Sequence, residues 1–118
     1  MFVLVVDSDQ NFRQSLINLL LICGVENFEV ASSGQKALEK VSKTLFDVVL
    51  LNFFLPDTTG LQLASEILKH KPDSKIIFVI EDEQQPFINT AGLAKLEFPM
   101  VLKSTVSRML PQLLTEEL

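Results

Sequence analysis

The feature that most constrains the fold is an apolar run at residues 48–51, Val-Val-Leu-Leu, followed at once by the polar Asn52. Four consecutive apolar residues, two of them β-branched, predict a short strand that is buried on both faces of a sheet. Pro56 cannot continue a strand ladder, and the Asp-Thr-Thr-Gly sequence after it is typical of a turn. Asn52 is therefore predicted at the carboxyl end of a buried strand, where ligands of open α/β sheets bind.

Strand-like and helix-like segments alternate along the whole chain. The other predicted strands are residues 2–6, 28–31, 75–80 and 100–103. The segments between them have apolar residues at helical spacing. The predicted helix starts are Ser8 or Asp9, Ser32 with Gln35, and Thr58 or Thr59, and Gly24 is predicted to end the first helix. Pro86 is predicted in the first turn of the fourth helix, and Pro111 is predicted to kink the last one. Strands and helices that alternate with short connections predict a parallel sheet with right-handed crossovers.

The apolar content of the strands predicts their order. Residues 28–31 alternate in polarity, as an edge strand does, whereas the other four strands are apolar and are expected inside. This fits a doubly wound α/β domain of three layers over residues 1–118, with strand order 2-1-3-4-5. The strand ends that converge in this order carry Asp7, Ser8, Asn52 and Lys103.

Charge and composition exclude several classes of function. Fifteen acidic residues against ten basic ones give a net charge of −5, which disfavours direct binding to nucleic acid. Cys23 is the single cysteine, so no disulfide framework is expected, and its helical position predicts core packing. No apolar run approaches the roughly 20 residues of a membrane span, and no secretory signal is recognised. A cytoplasmic protein is expected.

The chain resembles the receiver domain of two-component response regulators (CheY-like). The resemblance covers almost the whole chain and rests on Val-Val-Asp7, on Gly34 with Ala37-Leu38, on residues 47–61 and on Lys103. In that family, two acids end the first strand and a third acid, the phosphoryl acceptor, ends the third. With a backbone carbonyl they hold Mg²⁺, while a hydroxyl residue ending strand four and a lysine ending strand five contact the phosphoryl group.

This chain departs from that pattern at most of its functional positions. Carried over residue by residue, only Asp7 and Lys103 survive, because Ser8 replaces the second acid and Asn52 replaces the acceptor. Ile80 stands at the hydroxyl position. An amide has no anionic oxygen with which to attack phosphorus, and a hard cation needs several such oxygens. The sequence therefore predicts a non-enzymatic receiver that is not phosphorylated at the usual site and binds Mg²⁺ weakly or not at all.

Several polar residues near the strand ends have two possible roles. Asp7 is expected to pair with Lys103 rather than to hold a metal, and Asp9 to stabilise a helix start. The acidic run Glu81-Asp82-Glu83 is expected to be solvated, with a rearranged cation site beside Asp7 as the alternative. Asp57 is expected to be an ordinary turn residue rather than a substitute phosphoryl acceptor. Phe53 and Phe54 either pack under the third helix or remain partly exposed as a contact.

Three functions remain open. The first is a phosphorylation-independent interaction module that binds a histidine kinase, an output domain or a second copy of the chain. The second is a residually regulated receiver that binds a cation or a phosphodonor through Asp7 or Asp9. The third is a small-ligand (flavin-type) binder, which is disfavoured because Asp7-Ser8-Asp9 places negative charge where a phosphate loop is needed.

The expected contact surface is the face formed by the predicted fourth helix, the fifth strand and the last helix, here called the output face. The resemblance implies that this face carries partner or dimer contacts. The segment from Ala91 to Met100 is also more apolar than a solvated connection needs. Its apolar residues include Leu93, Leu96, Phe98 and Met100. Because Ile80 cannot follow a phosphoryl group, one fixed conformation of this face is expected.

Overall fold

A computed structural model describes residues 1–84 and 98–115. Its five strands form one parallel sheet of order β2-β1-β3-β4-β5, as predicted from the sequence. The strands are β1 (Phe2–Val6), β2 (Asn27–Ala31), β3 (Val48–Leu51), β4 (Lys75–Ile80) and β5 (Met100–Leu102). The helices are α1 (Gln10–Ile22), α2 (Gly34–Val41), α3 (Gly60–His70) and the C-terminal helix (Val106–Thr115).

Alternate residues of the central strands point into two separate hydrophobic layers. Leu4 and Val49 pack with residues of α2 and α3 on one face of the sheet. Val5 and Leu50 pack with residues of α1 and the C-terminal helix on the other face. Because both faces are covered, the central strands must be apolar throughout, which explains the uninterrupted run at residues 48–51. The doubly wound α/β fold class is confirmed.

One expectation about the strands was wrong. β5 was grouped with the interior strands, but it pairs with β4 alone and forms the second edge of the sheet. Of its residues only Val101 is buried, whereas Met100 and Leu102 are half-buried. An apolar composition therefore did not distinguish an edge strand from a central one.

Three of four predicted helix ends within the described residues are confirmed, at Asp9, Thr59 and Gly24. Asp9 caps α1 by accepting from the backbone N–H groups of Asn11 and Phe12, and Thr59 caps α3 by accepting from Gln62. Gly24 follows the end of α1 with φ of 85°, a conformation that favours glycine. At α2 the prediction was wrong, because Ser33 is the cap rather than Ser32.

The buried faces of the helices differ in detail from the predicted ones. Leu63 is fully buried on α3, whereas Leu61 and Leu68 are half-buried at its margins. Met109 on the C-terminal helix is exposed, and Cys23 is half-buried rather than inside the core. Pro111 lies within the C-terminal helix. The predicted fourth helix with Pro86, and the side chains of Leu93 and Leu96, lie outside the described residues.

None of the helices within residues 1–84 and 98–115 is long and apolar enough to cross a membrane.

Candidate functional site at the carboxyl ends of the strands

The ladder hydrogen bonds bring three polar residues to one edge of the sheet. The backbone N–H of Asn52 donates to the carbonyl of Val6, and that of Lys103 donates to the carbonyl of Ile80. Asp7, Asn52 and Lys103 each directly follow a strand, so the parallel arrangement places them at the same edge. Asp7 is 2% exposed and Asn52 is 6% exposed. The site is therefore a buried polar pocket rather than a surface cluster.

Both carboxylate oxygens of Asp7 are engaged by the chain itself. Its Oδ2 lies 3.1 Å from the Nζ of Lys103, which is the ion pair that the sequence favoured. Its Oδ1 accepts from the backbone N–H of Asp9 at 2.9 Å. Arg13 donates to the Asp7 carbonyl at 2.6 Å and so holds α1 against this strand end. A buried carboxylate with these partners is compensated without an external cation.

Lys103 is the most heavily contacted charge of the site. Its Nζ lies 2.6 Å from the Oε1 of Glu81 and 4.2 Å from the centre of the Phe12 ring. Burial opposes the charged form and lowers the pKa of Lys103, but the hydrogen bonds that Lys103 donates to Glu81 and Asp7 outweigh burial and raise that pKa above its ordinary value. Lys103 therefore carries its charge at neutral pH.

The acidic run after β4 is solvated only in part, because Glu81 and Asp82 also contact residues after β5. Glu81 pairs with Lys103, and the carboxylate of Asp82 accepts from the backbone N–H and the hydroxyl of Ser104. Asp82 and Glu83 are both exposed residues of the short 3₁₀ turn Asp82–Gln84 and fit the expectation, whereas Glu81 is half-buried. Glu81 and Asp82 reach Lys103 and Ser104 because β4 pairs with β5, which places the ends of the two strands side by side.

Asn52 has a side-chain hydrogen-bond acceptor that is not satisfied among the described residues. Its Oδ1 is buried and has no hydrogen-bond partner within the part of the chain that the structure describes. A buried acceptor left in this state costs about 1–3 kcal/mol.

The residues present do not fit the Mg²⁺ site that the family resemblance implies. Ser8 is exposed and neutral, and Asp9 uses its Oδ1 to cap α1. Asp7 is the one buried carboxylate of the pocket, and both of its oxygens have partners. Among residues 1–84 and 98–115, no group of three or more acidic, histidine or cysteine side chains could hold a metal ion. A hard divalent cation requires several anionic oxygens, which this pocket lacks.

Asp57 has a structural role that the sequence did not reveal. Its two carboxylate oxygens each accept, at 2.9 Å, from the backbone N–H groups of Gly34 and Gln35 at the start of α2. The bond from Gly34, followed by that from Gln35, holds the pKa of Asp57 below its usual range. A Cβ on Gly34 would collide with the methyl group of Thr58, so a larger residue there requires the Thr58 side chain to move. Asp57 lies in the loop after Pro56 as expected, and its bonds to the start of α2 are an additional long-range role.

Of the two phenylalanines after β3, one is buried in the core and the other is partly exposed. Phe53 is 6% exposed and packs in the core, with its ring 5.8 Å from that of Phe78. Phe54 is 36% exposed and lies edge-on to Phe53 at 5.0 Å. Gly60 permits this packing, because a Cβ there would come within 2.6 Å of the Asn52 carbonyl oxygen.

The fold and the site together define a doubly wound α/β domain with a charged pocket at the switch point between β1 and β3. The chain belongs to the response regulator receiver domain family, whose model matches residues 3–107.

Two curated relatives and two solved structures illustrate the relationship. The chain is 34% identical over 86 residues to the response regulator GacA of Pseudomonas viridiflava, covering 72% of this chain but 40% of GacA. It is 30% identical over 86 residues to the chemotaxis protein CheY of Thermotoga maritima, covering 73% of this chain and 72% of CheY. The chain thus spans less than half the length of GacA.

The structural comparisons extend over nearly the whole chain. The response regulator TrrA of Thermotoga maritima, solved in complex with Mg²⁺-BeF, has a TM-score of 0.77 at 29% identity and covers 97% of this chain and 96% of TrrA. The receiver domain of NtrX from Brucella abortus has a TM-score of 0.79 at 20% identity and covers 95% of this chain and 93% of that domain, a similarity of fold alone.

Proposed function

We propose that this receiver domain acts in two-component signalling as a protein-interaction module that does not depend on phosphorylation at the usual position. The observation that carries the proposal is Asn52, a buried amide one residue beyond β3, where the family resemblance implies the acceptor aspartate. A carboxylate oxygen attacks phosphorus because it is anionic, and an amide has no such oxygen.

Two further side chains support the proposal. Ile80 ends β4 as a buried apolar residue, where the resemblance implies a hydroxyl that contacts the phosphoryl group. Ser8 is neutral where the resemblance implies a second acid, so the pocket loses a charge that a cation would need.

The two alternative functions have less support. A residually regulated receiver would bind a cation or a phosphodonor through Asp7 or Asp9, but the oxygens of Asp7 contact Lys103 and Asp9, and Asp9 caps α1. A flavin-type binder needs backbone donors and little negative charge after β1, and Asp7-Ser8-Asp9 supplies the opposite.

A phosphodonor experiment tests the proposal directly. Incubated with acetyl phosphate and Mg²⁺, the wild-type chain is expected to gain no acid-labile phosphate by intact-mass spectrometry. Asn52→Asp alone is expected to gain little, because Ser8 and Ile80 still lack the required groups. The triple variant Ser8→Asp, Asn52→Asp, Ile80→Thr is expected to gain more label than Asn52→Asp alone, because it restores all three groups.

The double variant Ser8→Asp, Ile80→Thr is the matched control, since it restores the surroundings but keeps the amide. It is expected to remain unlabelled. Acid-labile phosphate on the wild-type chain, or on this control, would contradict the proposal.

The proposed contacts with a kinase, an output domain or a second copy lie on the output face. Within the described residues this face carries Met109, which is 38% exposed, and the half-buried Phe98 and Met100. The ring of Phe98 lies 5.7 Å from that of Phe78 in the core, so a charged residue at position 98 would also disturb packing. Met109 is the cleaner position for a test.

Met109→Lys is expected to weaken self-association or binding to a purified partner, measured by sedimentation velocity. Adding phosphodonor or Mg²⁺ is expected to leave that association unchanged. The control is Ile22→Lys, which places the same charge on an 81% exposed residue of α1, outside the output face. If association survives Met109→Lys and is lost with Phe54→Asp, the contact lies on the loop after β3 instead.

A further inference from the structure

Two neighbouring acids after β4 are bound to two neighbouring residues after β5. The Oε1 of Glu81 lies 2.6 Å from the Nζ of Lys103, and the Oδ2 of Asp82 accepts from the hydroxyl of Ser104 at 2.5 Å. The backbone N–H of Ser104 also donates to the Oδ1 of Asp82 at 3.3 Å. The loop after β4 is thus held at two points against the end of β5.

These contacts leave Lys103 little capacity for an external ligand. An ammonium group has three N–H donors, and here it faces the carboxylates of Asp7 and Glu81 and the ring of Phe12. The Lys103 side chain is 10% exposed. Of its two acidic partners, the Asp7 side chain is 3% exposed, whereas the Glu81 side chain is 36% exposed and so lies nearer the solvent.

We propose that the Glu81 carboxylate is a built-in anion that occupies the position beside Lys103 where a phosphate-like oxyanion would otherwise bind. The pocket is then closed to such anions by the chain itself. A tethered carboxylate competes at a high effective concentration, so a free anion of similar charge does not displace it at moderate concentration. The hydrogen bonds of Asp82 to Ser104 hold the loop that carries Glu81 and so maintain this closure.

This inference deepens the proposed function, because it names the group that closes the same pocket, and it rests on that assignment of the pocket. The inference about Glu81 and the proposed function can be tested separately. Acid-labile phosphate on the wild-type chain would contradict the proposed function, whereas the anion-binding experiment below concerns Glu81 and leaves Asn52 unchanged.

The test is a titration with inorganic phosphate at constant ionic strength, followed by the backbone amide resonances of the full chain. Glu81→Ala is expected to show saturable shifts centred on Asp7, Lys103 and Ser104, with an apparent affinity at least tenfold above the wild type, which corresponds to about 1.4 kcal/mol. Glu81→Gln, which removes the charge but keeps an acceptor, is expected to lie between the two.

Glu83→Ala is the matched control, because it removes the same charge from an exposed residue of the same turn. It is expected to bind phosphate no better than the wild type. The proposal is overturned if the wild type binds as tightly as Glu81→Ala, if Glu83→Ala gains as much, or if the shifts of Glu81→Ala lie away from Lys103. The position of the shifts provides a readout that needs no variant of Lys103.

Discussion

Replacing Phe53 by alanine is expected to lower the free energy of unfolding by about 3–5 kcal/mol, because it removes a large ring from a core that cannot close fully over the gap. Phe53 is 6% exposed and belongs to the hydrophobic layer that joins β3 to α3. Its ring contacts those of Phe54 and Phe78, at 5.0 and 5.8 Å between ring centres. Urea denaturation measures the change.

The adjacent Phe54→Ala is the matched control. Phe54 is the same residue type in the same loop, but it is 36% exposed, and its loss is expected to cost about 1 kcal/mol. Equal losses at the two positions would show that the loop does not pack as described. Because Phe53 is buried, a charged residue at position 53 would disturb the core as well as any contact, so the exposed position 54 is the better reporter of a contact surface.

Lys103→Met is expected to lower the free energy of unfolding by roughly 3 kcal/mol, since it leaves the Asp7 carboxylate buried without its counter-charge. Glu81 loses its partner as well, but it is partly exposed and solvent compensates it. Lys103 has a raised pKa in the folded state because its bonds to Glu81 and Asp7 outweigh its burial. Its contribution is therefore complete at neutral pH and is lost only as pH rises through that raised pKa.

The difference between Lys103→Met and the wild type is thus expected to be constant around neutral pH and to shrink in alkaline solution. Lys43→Met is the control, because Lys43 is exposed after α2, and its change is expected to stay within about 0.5 kcal/mol. A loss of similar size at both lysines would contradict a compensated ion pair at the strand ends.

The secondary structure was largely predictable because its signals are local. An apolar run that ends in Asn52 predicts a buried strand, and Asp9 and Thr59 lie where helix caps are needed. Strand order followed from the rule for crossovers together with the polarity of residues 28–31. The assignment of β5 as an interior strand failed because composition reports burial on average and not the number of neighbouring strands.

The Asp7–Lys103 pair was expected from the strand ends, but two other long-range contacts were not predictable from the residues themselves. Glu81 and Lys103 are 22 positions apart, and Gly34 and Asp57 are 23 positions apart. Each pair meets because separate crossovers return the chain to the same edge of the sheet. Nothing in the local sequence distinguishes Glu81 from the exposed Glu83, or Asp57 from an ordinary acid in a turn.

The sequence by itself determined which reactive groups this protein can offer, since covalent identity sets reactivity before any folding. Residue 52 has an amide, residue 8 a hydroxyl and residue 80 a hydrocarbon, and the proposed function depends on these three facts. Only the tertiary structure decided how the remaining charges are compensated. Electrostatic and hydrogen-bond energies depend on distance and burial, so the pairing of Lys103 with both Asp7 and Glu81 exists only once β1, β4 and β5 lie side by side in the sheet.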